Sequence, residues 1–247
     1  MNSWRLIENP PAAGDWNMAV DAALMESVAA TGQCCLRFYS WAEPTLSLGY
    51  FQNAADRQRH TASQACPIVR RSTGGGAIVH DRELTYSLVV PTGHPLVARP
   101  PELYLLLHRT LIEALSDWQI VAKICPDTIN RSSNDEPFLC FERRAEMDVV
   151  LDDWKIAGSA QRRRRGAVLQ HGSVLLKKSS AAPELFGIID VGGKVVEGDA
   201  LATAWREQLA KQCKISWQKI PLDAAESERA TDLVGEIYGQ PGWTQRR

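Results

Sequence analysis

Hydrophobic positions recur along this chain with two periods. Between Asn17 and Ala30 (NMAVDAALMESVAA), Met18, Ala22, Met25 and Ala29 fall at helical spacing and predict an amphipathic helix. Pro101 to Trp118 sets Leu103, Leu106, Leu107, Leu111 and Ala114 on one face and opens on prolines, which suit a first helical turn. Shorter apolar runs predict strands: Leu36–Trp41 and Thr45–Tyr50, joined around Glu43-Pro44, then Pro67–Ser72, Gly76–Asp81 and Leu84–Val90. Glu146–Leu151, Trp154–Gln161 and Gly166–Leu176 continue the series, with Arg162–Gly166 as the turn of a hairpin. The Asn-, Asp- and Ser-rich stretch Pro126–Phe138 reads as loop. Gly198–Cys213 and Ala224–Gly239 are helical, so the segment 177–247 is expected to be helical throughout.

Strands in the middle with helices around them predict one α+β domain spanning 1–247. Its core is a mixed, largely antiparallel sheet flanked by helices, with no separate accessory domain. The lack of regular strand–helix alternation argues against a doubly wound nucleotide fold.

Composition narrows the function classes. The 247 residues are 45% hydrophobic and 23% charged, ordinary values for a soluble globular domain. A formal net charge of -1 favours neither nucleic acid nor a membrane surface as partner. No run reaches the roughly 18 apolar residues that cross a bilayer, and MNSWRLIENPP has no apolar signal core, so a cytoplasmic location is expected. The 6 cysteines form no C-x-x-C pair and no zinc-like spacing with histidine, so no metal is expected.

Chemistry concentrates in a few small-residue stretches. RRSTGGGAIVHD (Arg70–Asp81) sets two arginines before three glycines and His80 after them. Glycine lets backbone lie close to a ligand, and arginine offers a fixed fork of donors. KIAGSAQ (Lys155–Gln161) places a lysine on a strand just ahead of Gly158, Ser159 and Ala160; QHGS (Gln170–Ser173) adds His171, Gly172 and Ser173. Between the two clusters, Cys140 follows the polar loop in PFLCFE. A thiol at a loop exit beside a lysine would have its pKa lowered and act as a nucleophile. As plain structure, Cys140 would be a small apolar residue, His171 a core histidine and Lys155 an edge-strand lysine. Arg162, Arg163, Arg164 and Arg165 read equally as a solvated hairpin tip or as a docking patch for an acidic protein.

Taken together, WRLIENPPAAGDWNMAVDAAL, LRFYSWAEPTLSLGYFQN, RRSTGGGAIVHD and KIAGSAQRRRRGAVLQHGSVLL resemble the blocks of the lipoate-protein ligase A / octanoyltransferase family, in the family's order, from Trp4 to Leu176. Biotin protein ligases are its distant relatives. The resemblance implies a mixed sheet flanked by helices, with an acyl tunnel beside the glycine loop. Arg70, Arg71, Ser72, Thr73, Gly74, Gly75, Gly76, Ala77 and His80 would contribute to it, with Gly158, Ser159, Ala160, Gln161, His171, Gly172 and Ser173. Ile78 and Val89 are expected along its wall. Within the family, Cys140-Phe141 ahead of the K-x-x-G-S-A-Q block is similar to the M-type octanoyltransferases.

That match implies transfer of an octanoyl group from acyl carrier protein to a lysine of a lipoyl domain, such as glycine cleavage H protein, through acyl-Cys140 with Lys155 assisting. No cofactor is then needed. The alternatives are an ATP- and Mg²⁺-dependent lipoate ligase subunit with Arg70 on phosphate, an amidotransferase between lipoyl-domain proteins, and a non-catalytic acyl-binding module.

Overall fold

The structure is a computed structural model and describes residues 2–126 and 137–246. The chain runs β1 (Asn2–Glu8), α1 (Gly14–Thr31), β2 (Cys35–Tyr39), β3 (Thr45–Leu48), β4 (Ile68–Arg70), β5 (Ile78–His80), β6 (Glu83–Pro91), α2 (Pro100–Leu115) and β7 (Lys123–Ile124). It continues with β8 (Val149–Leu151), β9 (Trp154–Arg164), β10 (Ala167–Leu175), α3 (Ile188–Gly192), α4 (Gly198–Cys213), β11 (Ile215–Lys219), α5 (Ala224–Leu233) and α6 (Pro241–Thr244).

The strands form an 8-stranded sheet in the order β11-β1-β2-β6-β10-β9-β8-β7 and a 3-stranded sheet in the order β4-β3-β5. In the large sheet β1 is parallel to both β11 and β2, and every other pairing is antiparallel, in line with the expected mixed, largely antiparallel arrangement.

Alternation along the strands builds two cores, one on each face of the large sheet. Leu36, Phe38, Leu84, Tyr86, Leu88 and Val174 pack with Leu103, Leu107 and Leu111 of α2 and with Leu201, Trp205 and Leu209 of α4. Cys35, Tyr39, Val89 and Leu169 point the other way, into α1, which α5 covers from outside. That cover explains why α1 is less amphipathic than its spacing predicts: Asn17 to Asp21 are all buried. A third core, with Leu46, Leu48, Val79, Leu139, Phe141 and Leu175, joins the small sheet to the chain around Cys140.

Leu36–Trp41 and Thr45–Tyr50 supply consecutive strands as expected; β2 and β3 belong to different sheets and do not pair. Two sequence expectations change. The C-terminal part is not helical throughout: β11 adds a parallel edge strand to β1. The hairpin turn is only Arg165-Gly166, both at positive φ, while Arg162 to Arg164 are strand. A two-residue turn with φ > 0 at both central positions matches the twist of its strands, so pairing runs on up to Arg164↔Ala167. Residues 127–136 of the expected loop Pro126–Phe138 lie outside the described residues. Among the described residues no helix is long and apolar enough to cross a membrane.

Candidate active site

Cys140 reaches its position through backbone. Ala77, at the end of the glycine loop, forms a parallel bridge with Leu139. The Ala77 amide donates to the Phe138 carbonyl at 3.0 Å, and the Cys140 amide donates to the Ala77 carbonyl at 2.8 Å. Gly76 makes this approach feasible: a Cβ there would stand 3.1 Å from the Cys140 Cα. Gly76 and Ala77 therefore seat the cysteine.

Lys155 arrives from the other side, aimed by a β-bulge. Val149 pairs with Ala157, but Val150 pairs with Lys155, leaving Ile156 as an extra residue on β9. An inserted residue reverses the facing of what precedes it, because side chains alternate with a period of two. The bulge turns Lys155 onto the face that Gly158 occupies. A Cβ at Gly158 would meet the Lys155 Cε at 2.5 Å, so the glycine keeps the lysine's path open.

The two groups meet. Lys155 Nζ lies 3.6 Å from Cys140 Sγ and 2.9 Å from Asp148 Oδ2. Burial pushes the Cys140 thiol up, but the charges of Lys155, Arg71 and Arg143 outweigh burial and Asp148 and hold it below its ordinary value. Burial opposes the Lys155 ammonium, yet Cys140 and Asp148 hold its pKa above the usual range. Lys155 therefore stays cationic beside the sulfur. By contrast, burial drives the thiols of Cys34 and Cys35 up to about 12, and burial lifts Cys213 to about 11. Cys140 stands apart from these cysteines, since a lowered pKa beside a cation marks a reactive thiol.

The pair opens into a cavity of about 130 Å³. Met18, Tyr39, Trp41, Ile78 and Phe141 give it apolar walls; Gly74, Gly75, Gly158, Ala160 and Gly172 leave its backbone bare. Arg71, His80, Ser159, His171 and Ser173 also line it.

Arg71 is 3% exposed and holds the glycine loop from within. Its guanidinium donates to the carbonyls of Ser47 at 3.0 Å, Gly74 at 3.0 Å and Gly76 at 2.6 Å. Burial brings its pKa down to about 10, so it remains charged at neutral pH. His80 stacks on Trp41 with centroids 3.9 Å apart, between Glu83 (2.6 Å) and Ser47 (2.8 Å). His171 is fixed between Asp21 Oδ2 at 3.1 Å and Thr73 Oγ1 at 2.7 Å. Burial pushes Asp21 up, but its hydrogen bond to His171 and the Arg37 charge, 2.9 Å away, bring it below the usual carboxylate range.

Several expected lining residues have other roles. Arg70 is fully buried and does not line the cavity. It donates to the carbonyls of Gly49 (2.8 Å), Gln52 (2.7 Å) and Thr244 (2.9 Å), tying α6 to the glycine-loop side. Thr73 sits behind His171, and Ser72 lines a neighbouring cleft. Gln161 faces the opposite side of β9, donating to Gln170 at 2.8 Å; the Ser159 hydroxyl points the same way, 2.8 Å from His108 of α2. Val89 is packed under α1, while Ile78 lines the cavity as expected. Arg163 donates to the Val97 carbonyl at 2.6 Å, on the α2 side, which separates it from Arg162 and Arg164.

Sequence reasoning missed Asp148, Asp21, Arg37 and Trp41. For three of them a signal exists: Asp21 interrupts the apolar face of α1, Arg37 lies between Leu36 and Phe38, and Asp148 precedes Val149-Val150. A charge inside an apolar run is costly unless paired, so each asks for a partner. Among the described residues no cluster of His, Cys, Asp and Glu is arranged to hold a metal ion.

Known proteins are similar to this chain in sequence and in fold. The chain is 32% identical to the octanoyltransferase LipM of Kyrpidia tusciae over 278 aligned positions, covering 100% of both chains. It is 34% identical to that of Staphylococcus aureus, covering 99% of each. The fold superposes on lipoate-protein ligase A bound with ATP with a TM-score of 0.78 at 21% identity, covering 98% of each chain. A bi-partite lipoate protein ligase of Thermoplasma acidophilum, studied with its E2 lipoyl domain, gives a TM-score of 0.76 at 20% identity, covering 99% of this chain and 96% of that one. Residues 14–190 match the lipoyl protein ligase A/B catalytic domain, and the chain belongs to that family.

Proposed function

We propose that this protein is an octanoyltransferase that carries its acyl group on Cys140 in protein lipoylation. The observation that carries the reading is Lys155 Nζ 3.6 Å from a thiol whose pKa is lowered, both lining a largely apolar cavity. The octanoyltransferase names of the full-length relatives support it.

The Cys140 thiolate attacks the carbonyl of an octanoyl thioester; the tetrahedral oxyanion collapses and expels the donor thiolate, leaving octanoyl-Cys140. Lys155 holds the attacking thiolate and meets the developing negative charge. The neutral ε-amine of an acceptor lysine then attacks the acyl-cysteine, Cys140 thiolate departs, and the nitrogen loses a proton to give the amide. Thioester exchange is nearly neutral and thioester to amide is downhill, so neither step requires ATP or Mg²⁺. The donor in this reading is an acyl carrier protein, and the acceptor a lipoyl domain such as glycine cleavage H protein. The apolar walls take the octanoyl chain, and Arg71 keeps the glycine loop in shape around it.

The ATP-dependent ligase reading gave Arg70 a phosphate to hold. Its guanidinium instead faces backbone carbonyls in the interior, which weighs against that role. An ATP-free mixture of octanoyl-carrier protein, enzyme and apo lipoyl domain should yield octanoyl-lipoyl domain. A product that forms only from free octanoate or lipoate with ATP and Mg²⁺ would overturn the proposal in favour of a ligase.

A further inference from the structure

We propose that a basic cleft beside the catalytic cavity binds the phosphate of the phosphopantetheine arm that presents the acyl thioester. The inference rests on the proposed octanoyl transfer and adds the place where the donor's arm is held.

The cleft, of about 210 Å³, is lined by Ser72, Arg162, Arg164 and Arg165 and floored by Met25, Leu233 and Tyr238. Distinct segments cross from the cavity into it. On α1, Met18 lines the cavity, and Ala22 and Met25 line the cleft. On β9, Ala160 lines the cavity, and the next side chains on that face, Arg162 and Arg164, line the cleft. In the loop after β4, Gly74 belongs to the cavity and Ser72 to the cleft. The two spaces therefore lie side by side along the same three segments.

Glu26 and Arg229 also line the cleft, but three of its four arginines have no carboxylate partner among the described residues. Arg229 is neutralised by Glu26 at 2.8 Å and Glu236 at 3.3 Å. No carboxylate among the described residues forms an ion pair with Arg162, Arg164 or Arg165. Arg162 lies against the Tyr50 ring, 5.2 Å from its centroid, and its Nε is buried with no hydrogen-bond partner. A half-buried guanidinium with an unsatisfied Nε, beside two exposed arginines with no carboxylate partner among the described residues, matches a phosphate, which arginine binds through charge-assisted forks.

Length selects the ligand. A strand advances roughly 3.3 Å per residue, so Arg162 lies about 13 Å and Arg164 about 20 Å along β9 from Gly158. A Cβ on Gly158 would stand 2.9 Å from Lys155 Nζ, so Gly158 marks the reacting end. An extended chain advances about 1.2 Å per bond, and the arm has about thirteen bonds between sulfur and phosphorus, giving a span of about 16 Å. With the thioester at Cys140, the phosphate falls between Arg162 and Arg164.

The test compares octanoyl-pantetheine with octanoyl-4′-phosphopantetheine as donors for acylation of Cys140, followed by intact-mass kinetics. The wild-type protein should use the phosphorylated donor at least about tenfold more efficiently, the scale of a charged hydrogen bond. In Arg164→Gln, and further in Arg162→Gln/Arg164→Gln, this ratio should fall towards one. A wild-type ratio near one, or a ratio unchanged in both variants, would overturn the proposal. An advantage seen only with octanoyl-carrier protein, and not with the isolated phosphorylated arm, would also overturn it, because the arginines would then be reading the carrier's surface. Failure of both small donors to label Cys140 would bring down the acyl-cysteine reading itself.

Discussion

At the scale of single residues, the chemistry depends on a balance at one sulfur. Burial favours the neutral Cys140 thiol; Lys155, Arg71 and Arg143 favour the thiolate and prevail over Asp148. The sign is testable. A depressed thiol pKa means that alkylation by iodoacetamide reaches its plateau at lower pH than a free cysteine, whose pKa is about 8.5. Lys155→Ala removes the cation 3.6 Å from the sulfur and leaves Asp148 at the site, so the midpoint of the alkylation profile should move up. An unchanged midpoint would remove Lys155 from thiol activation. Asp148 adds a restraint that the sequence alone did not suggest: it holds the ammonium at 2.9 Å and keeps it directed at the sulfur.

Elements decide which residues meet, and here local and long-range information part company. The bulge at Ile156 is what brings Lys155 onto the cavity face, and Gly158 clears its way. Gly158→Ala should retain the fold, because β9 stays paired on both sides, but displace the Lys155 side chain. Acyl transfer should fall at least about tenfold, with the Cys140 alkylation midpoint rising as in Lys155→Ala. Full activity in Gly158→Ala would show that the lysine does not need the path this glycine leaves.

Most helices and strands were legible from periodicity, since burial on one face is written into each segment: α4 begins and ends at the residues its spacing predicts. Pairing was not legible. β2 and β3 are consecutive strands in different sheets, and β11 reaches β1 across the length of the chain, so no local pattern specifies either. Cys140, Lys155, the glycine loop and His171 were readable as residue types in small-residue surroundings. Asp148, Asp21 and Arg37 were legible only as charges within apolar runs; which partners they meet is set by the tertiary structure.

For the molecule as a whole, the site is a junction of parts that are distant in sequence: the small sheet brings the glycine loop and Cys140, the large sheet brings Lys155 and His171, and the C-terminal segment locks the junction. Arg70 is the lock, donating both to Gly49 and Gln52 near the glycine loop and to Thr244 and Arg246 near the C-terminus. Removing residues 241–247 would take away the carbonyl acceptors that Trp243, Thr244 and Arg246 give this buried guanidinium. Hydrogen bonds to charged groups contribute about 1.5–3 kcal/mol each, so the truncated protein should lose at least ~2 kcal/mol of stability in urea unfolding. A truncation that costs nothing would mean that Arg70 is satisfied from the loop side alone.

The most direct test of acyl transfer through Cys140 is the intact mass of the protein after mixing with octanoyl-carrier protein in the absence of ATP. One octanoyl increment is expected, released by hydroxylamine, mapped to the peptide containing Cys140 and absent in Cys140→Ala, which should also lose at least about 10³-fold in transfer rate. Transfer to the lipoyl domain at near wild-type rate by Cys140→Ala, or an adduct that maps to another residue, would contradict the account.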